Sequence, residues 1–260
     1  MGCGSSKQMG QRQQRPALPT HQRAGGVTIG RPTEVMIHLP RNRADTHGVP
    51  IPQTTHEIER PILENALAAM ARFLAQKKVE LTVIAVGGAV NTLLLRSRPS
   101  THDVDIFGSN LNNDSRILLD EATQYAIRQS SAPLGTDWFN TENQMWLSPS
   151  LHRELTNEAM RQNVVVFHRP GLRVLAAPWE YAFSGKIARL LTGGSQIRPY
   201  DLADATHYLH QYISRNGGRP VTLATIEGWA RRFNHSTSKA FLRDRVNVEY
   251  RKRYGRNGIA

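Results

Sequence analysis

Cysteine is almost missing from this chain. Cys3 is the single one in 260 residues, which excludes an intrachain disulfide and any zinc site built on cysteines. No apolar run approaches the roughly 18 residues of a membrane-spanning helix, and the opening residues lack the apolar core of a signal peptide. Aromatic residues are scarce and unevenly placed, with none before position 56. Acidic residues are also few, at 21 against 33 Lys and Arg, a formal net charge of +12. Much of the excess lies at the ends. Lys7, Arg12, Arg15, Arg23 and Arg31 precede the first acid, Glu34, and nine Lys or Arg between Arg231 and Arg256 face only Asp244 and Glu249. Such ends suit nucleic acid or anionic lipid, although a solvated surface is the commoner reason for them. The hydrophobic share of 39% is modest for this length, so part of the chain is expected to lack a packed core.

That part is residues 1–55. The segment holds six of the fourteen prolines and mixes Gln, Arg, Gly and His without periodicity, which predicts a disordered arm. It opens Met1-Gly2-Cys3-Gly4-Ser5-Ser6-Lys7, the pattern for N-myristoylation at Gly2, with Cys3 suited to palmitoylation. One acyl chain binds a bilayer marginally, at about 0.8 kcal/mol per buried CH2, so Cys3 and the nearby cations would supply the second anchor. In a eukaryotic host this places the protein on the cytoplasmic face of a membrane.

The chemistry is concentrated in Leu81 to Phe107. An apolar, β-branched run (Leu81 to Val86) meets Gly87-Gly88, continues to Leu95, turns at Arg98-Pro99-Ser100, and closes on Asp103-Val104-Asp105-Ile106-Phe107. This reads as strand, glycine turn, helix, strand. The glycines lie where a phosphate can approach backbone N–H groups at a helix start. Asp103 and Asp105, two apart on a strand, project to one face. Paired carboxylates repel unless a cation lies between them, and Mg2+ or Mn2+ is held by one or two carboxylates together with substrate phosphates. A sugar transferase also uses Asp-x-Asp, but does not call for the upstream glycines.

Gly87-Gly88, fourteen intervening residues, then Asp103-Val104-Asp105 between apolar neighbours resembles the signature of the polymerase-β-type nucleotidyltransferases. The branch most resembled is that of the abortive-infection toxins of bacterial type IV toxin–antitoxin pairs. The resemblance covers roughly Leu81 to Tyr212. It implies an α/β (α+β) fold, a polymerase-β-like nucleotidyltransferase mixed sheet with flanking helices. It also implies an NTP substrate whose NMP group moves to an unidentified acceptor, Mg2+ or Mn2+ on Asp103 and Asp105, and a third carboxylate from a later strand. Asp137 is the candidate for that carboxylate, with Glu142 behind it. In the resembled branch a lysine follows the sheet and an Arg-x-x-Asp-Leu segment comes soon after. Lys186, with Arg189 on its flank, and Arg198-Pro199-Tyr200-Asp201-Leu202 are similar. Lys186 would meet triphosphate charge, or else snorkel, while Asp201 would also suit the first turn of a helix. The second glycine, where active members often have serine, implies the alternative of a catalytically inactive binding module.

The remaining elements are scaffold. Thr54 and Glu57 have capping-box spacing ahead of Pro61 and a Leu63, Leu67, Met70, Leu74 stripe. A helix is expected over 114–128, a short strand over 144–147, and a helix over 149–162 capped by Ser148. Strands over 163–167 and 172–176 flank a turn at His168-Arg169-Pro170-Gly171. From Pro178 the pattern is helical to the end, so the organisation expected is an arm (1–55), an α/β domain (56–176) and a helical C-terminal subdomain (177–260). Phe233, Phe241 and Tyr250 have spacing for packing; the alternative is a basic last helix that holds RNA phosphates while these aromatics stack on bases.

Overall fold

A computed structural model of the chain describes residues 1, 38–40, 43–45 and 47–260. The acylation candidates Gly2 and Cys3, and most of the arm, lie outside the described residues. Ordered packing begins before His56. Leu39 is buried in the core, its N–H bonds Thr141 Oγ1 at 2.9 Å, and its carbonyl accepts from Thr141 N at 3.1 Å. The Arg43–Asp120 ion pair and the Thr54–Thr136 hydrogen bonds hold the same segment, although its composition is polar.

The chain then forms β1 (Ile58–Glu59) and α1 (Arg60–Gln76). Pro61 stands in the first turn, as expected. The capping box does not form, because Glu59 is the N-cap, without a side-chain cap, and Glu57 instead accepts from Ser100 Oγ. Leu63, Leu67, Met70 and Leu74 are fully buried. Next come β2 (Leu81–Val86), α2 (Gly88–Val90), continued by a π-helical turn over Asn91–Leu95, β3 (Ser100–Thr101), β4 (Val104–Phe107) and α3 (Asn113–Gln129). Asn112 caps α3 by accepting from Ser115 N at 2.8 Å, and the helix starts at Asn113, one residue before the expected start.

β5 (Phe139–Asn140) is the strand that lies beside Asp105; residues 142–146, of which the last three were expected to begin a strand, form a 3-10 turn, Glu142–Trp146. α4 (Pro149–Gln162), β6 (Val165–Arg169), β7 (Leu172–Ala176), α5 (Trp179–Thr192), α6 (Asp201–Arg215) and α7 (Leu223–Phe233) follow. Ser148 accepts from Leu151 N at 3.3 Å, so the Ser-Pro helix start is realised. The last helix begins as α8 (Lys239–Phe241), passes through a π-helical turn over Leu242–Val246 and ends as α9 (Asn247–Tyr254).

Five strands make one mixed sheet in the order β5-β4-β2-β7-β6. β2 is antiparallel to β4 and parallel to β7, while β5 is parallel to β4 and β6 antiparallel to β7. Because β2 and β7 lie inside the sheet, their residues read as nearly continuous apolar runs. The helices on the flanks and the C-terminal helices share one apolar core with the sheet. Phe183, Tyr208, Leu209, Phe233 and Tyr250 are all buried in it, so Phe233 and Tyr250 are packing residues. The described residues from His38 onward form one compact unit, and the helical C-terminal part is not separate from it. Among the described residues no helix is long and apolar enough to cross a membrane.

Candidate functional site

Each strand end next to the glycine turn delivers one component of a cleft. β2 stops at Val86, and the backbone of Gly87 takes φ 78° and ψ −138°, which a side chain disfavours strongly. Gly88 starts the helix, and a Cβ there would stand 2.1 Å from Thr101 Oγ1. The first glycine thus serves backbone conformation and the second serves close packing on Thr101. The turn is also held from a distance, since the Gly87 carbonyl accepts from Tyr208 OH at 3.0 Å, and the buried Asn91 Nδ2 donates to that same hydroxyl at 2.7 Å.

Asp103 and Asp105 stand opposite. β4 is paired so that Asp105 faces Val86, and an atom added at Gly87 would lie 3.7 Å from Asp105 Oδ2. Asp103 directly precedes the strand, and both carboxylates line a cleft of about 610 Å³ together with Gly87, Gly88, Glu142, Lys186 and Arg189. Burial pushes the Asp103 carboxyl up, against the pull of Arg198. Burial, reinforced by the Asp103 charge, pushes Asp105 up to about 7, with the Asn140 side chain working against it and Glu142 adding to it.

The other wall is basic. Lys186 on α5 is 7% exposed and donates to Asp201 Oδ1 at 2.6 Å, with Asp204 Oδ2 at 3.0 Å. Arg98, from the turn before β3, grips Asp204 with two nitrogens and stacks on Tyr200, its Cζ 3.5 Å from the ring centre. Asp201 takes a further bond from Arg198 N at 2.9 Å. Asp201 and Asp204 are thus structural anchors: they neutralise Lys186 and Arg98 and fix where those cations sit. Desolvation draws the Lys186 ammonium down to about 8 despite Asp201; burial alone would push Asp201 up, and Lys186 holds it below its ordinary value. Arg189 and Arg198 are exposed, also line the cleft, and form no ion pair among the described residues.

Asp137 is not brought here. It lines a larger cavity of about 840 Å³, together with Leu39, Arg43, Thr54 and Gln124, which contains neither Asp103 nor Asp105. The reason is local: Asp137 precedes β5 and sits in a turn, whereas Asn140, in register with Asp105, and Glu142 beyond it reach the acidic face. Among the described residues no group of three or more His, Cys, Asp or Glu is arranged to hold a metal ion. Sequence reading did not single out Arg98, whose partner lies 106 positions away, nor Asn140, Tyr208 and Trp146. The Arg198 to Asp204 segment was noticed only through its resemblance.

The fold and the cleft define a mixed α/β protein in which a glycine turn, a carboxylate pair and a basic wall meet. Residues 56–257 match the family described as a domain of unknown function (DUF7582), and the chain belongs to that family. No curated protein and no solved structure matches it.

Proposed function

We propose that the cleft binds a nucleoside triphosphate with a divalent cation and that the protein is a nucleotidyltransferase resembling the polymerase-β type. It would move an NMP group to an acceptor and release pyrophosphate. The observation that carries the reading is the convergence of Gly87-Gly88, the Asp103–Asp105 pair and the Lys186, Arg98, Arg189, Arg198 wall on one cleft. Two carboxylates whose protons burial holds on, Asp105 further under the Asp103 charge, fit a hard divalent ion, which takes its remaining oxygens from phosphate and water. Bound there, the ion would polarise the reacting phosphoryl group. Arg189 and Arg198 neutralise phosphate charge, including the charge that develops during transfer; Lys186 and Arg98, neutralised by Asp201 and Asp204, offer positioned N–H donors rather than net charge. Glu142, which lines the cleft, would accept the proton of an acceptor hydroxyl. Acylation at Gly2 and Cys3 would tether this activity to the cytoplasmic face of a membrane.

A second reading has its own support. With Asp103 just before β4, Asp105 within it and Asp137 elsewhere, the cleft would bind nucleotide without turning it over, serving as a binding module at the membrane. The test is transfer of label from α-phosphate-labelled NTPs, with pyrophosphate release, in Mg2+ or Mn2+ and with RNA and protein acceptors offered. Turnover by the wild type that Asp103→Asn abolishes supports the enzyme; tight binding without pyrophosphate release from any NTP favours the module.

A further inference from the structure

We propose that Trp146 is the stacking platform for the base of the nucleotide. This rests on the reading of the cleft given above and adds the part of the ligand that acids and cations leave unrecognised. The ring is 84% exposed, while the other three tryptophans, Trp138, Trp179 and Trp229, are 1%, 2% and 9% exposed. Tryptophan carries the largest apolar area of any side chain and is highly buried on average, so an almost bare ring on a folded surface calls for an occupant. Among the described residues, Trp146 is the one exposed large hydrophobic residue that lines the cleft.

The ring is presented from a fixed support. It ends the 3-10 turn Glu142–Trp146, whose Glu142 and Asn143 also line the cleft. That turn is nailed down from beneath: Gln144 is fully buried and its Oε1 accepts from Arg116 Nη1 at 3.2 Å; Leu147 is buried; and Thr141, just before it, is tied to Leu39 through both hydrogen bonds already described. Because the turn is fixed, covering the ring leaves only the side chain's own rotamer freedom to be lost. The charge of the cleft selects which flat ring that is. A cleft that offers a carboxylate pair on one wall and guanidinium and ammonium groups on the other, with an indole at its rim, is complementary to a polyanion carrying a π-system. Stacking on tryptophan tolerates every base, because each has a π-face. The larger purine ring covers more of the indole than a pyrimidine, and the Asn143 amide beside it offers both a donor and an acceptor to a base edge.

The experiment measures affinity for Mg2+ complexes of ATP, CTP and inorganic tripolyphosphate in the wild type, Trp146→Ala and Trp146→Phe, with acrylamide quenching of tryptophan emission as a second readout. Trp146 is the tryptophan open to the quencher, so nucleotide should shield it and tripolyphosphate should not. Trp146→Ala should weaken ATP about tenfold or more, CTP less, and tripolyphosphate not at all; Trp146→Phe should retain most of the affinity. Nucleotides bound equally by wild type and Trp146→Ala, with tripolyphosphate bound by both, would overturn the stacking role and leave the cleft reading intact. Folded wild type that binds neither tripolyphosphate nor nucleotide overturns both.

Discussion

Replacing Asp105 by Asn should make the metal-free protein more stable, and only above acidic pH. The carboxyl titrates near 3.9 in an unfolded chain and is pushed up to about 7 in the fold, by burial first and by Asp103 second. The sign follows from proton binding. Between those two values the folded state holds the proton that the unfolded state has released, so stability falls as pH rises, and above about 7 the whole penalty is present. At about 1.36 kcal/mol per pH unit the ceiling is about 4 kcal/mol; because Asp103 shares the titration, about 2 kcal/mol is the working figure. Asn retains the shape and the hydrogen-bonding capacity toward Asn140 but not the charge. Urea unfolding of both proteins in chelator, at pH 4, 6 and 8, isolates the effect as a difference, so other titrating groups cancel. The variant should match wild type at pH 4 and exceed it by about 2 kcal/mol at pH 8. Adding Mg2+ at pH 8 should stabilise wild type and not the variant. A variant less stable than wild type at pH 8, or an advantage that does not shrink toward pH 4, would refute the picture of two mutually repelling, desolvated carboxylates.

Other consequences are equally concrete. Gly88→Ala should cost about 1–3 kcal/mol through its clash with Thr101, and most of that cost should vanish in a Thr101→Ala background; a double-mutant cycle by chemical denaturation reads the coupling. Lys186→Met should destabilise by about 3–5 kcal/mol, since it removes one of the cations that compensate Asp201 and Asp204. Arg198→Ala should leave denaturant stability within about 0.5 kcal/mol and weaken triphosphate binding. His152 is buried, its Nε2 accepts from Gly108 N at 3.1 Å, and desolvation, with Arg116 second, draws it down to about 4. A folded value below the unfolded one means stability is lost as pH falls from about 6.5 to 4, by up to about 3 kcal/mol, and His152→Gln should flatten that acid limb.

What could be read from the residues alone was whatever depends on neighbours in sequence. The β2 run, the glycine turn and Asp105 stand where alternation and glycine placement put them, because strand and turn preferences act over a few residues, whereas Asp103, expected on the same strand, falls just before it. Ser148-Pro149 and the turn before Leu172 are equally local. What depends on distant partners was not legible. Arg98 read as part of a turn beside Pro99, yet its role is set by Asp204 and Tyr200. The resemblance implies a third acid on a later strand, and with no Asp or Glu in 163–167 or 172–176 it points back to Asp137; the strand that pairs with β4 is two residues long, Phe139–Asn140, too short to carry a periodic signal. The Thr54–Glu57 capping box failed for a similar reason: those residues are engaged by Thr136 and Ser100 across the fold. Leu39, in a polar stretch, gave no sign that it would insert beside Thr141.

The central claim is that this cleft holds a metal-bound triphosphate, and it is tested most directly by thermal unfolding with each of the four NTPs, with and without Mg2+, in wild type and in the Asp103→Asn, Asp105→Asn double variant. Ligand at a hundredfold excess over Kd adds about 2.7 kcal/mol, which for a domain of this size raises Tm by about 5–10 °C. The account predicts a rise of that order in wild type, dependent on Mg2+ and absent in the double variant. A folded wild type whose Tm no NTP moves in the presence of Mg2+, or a rise that the double variant keeps, would contradict it.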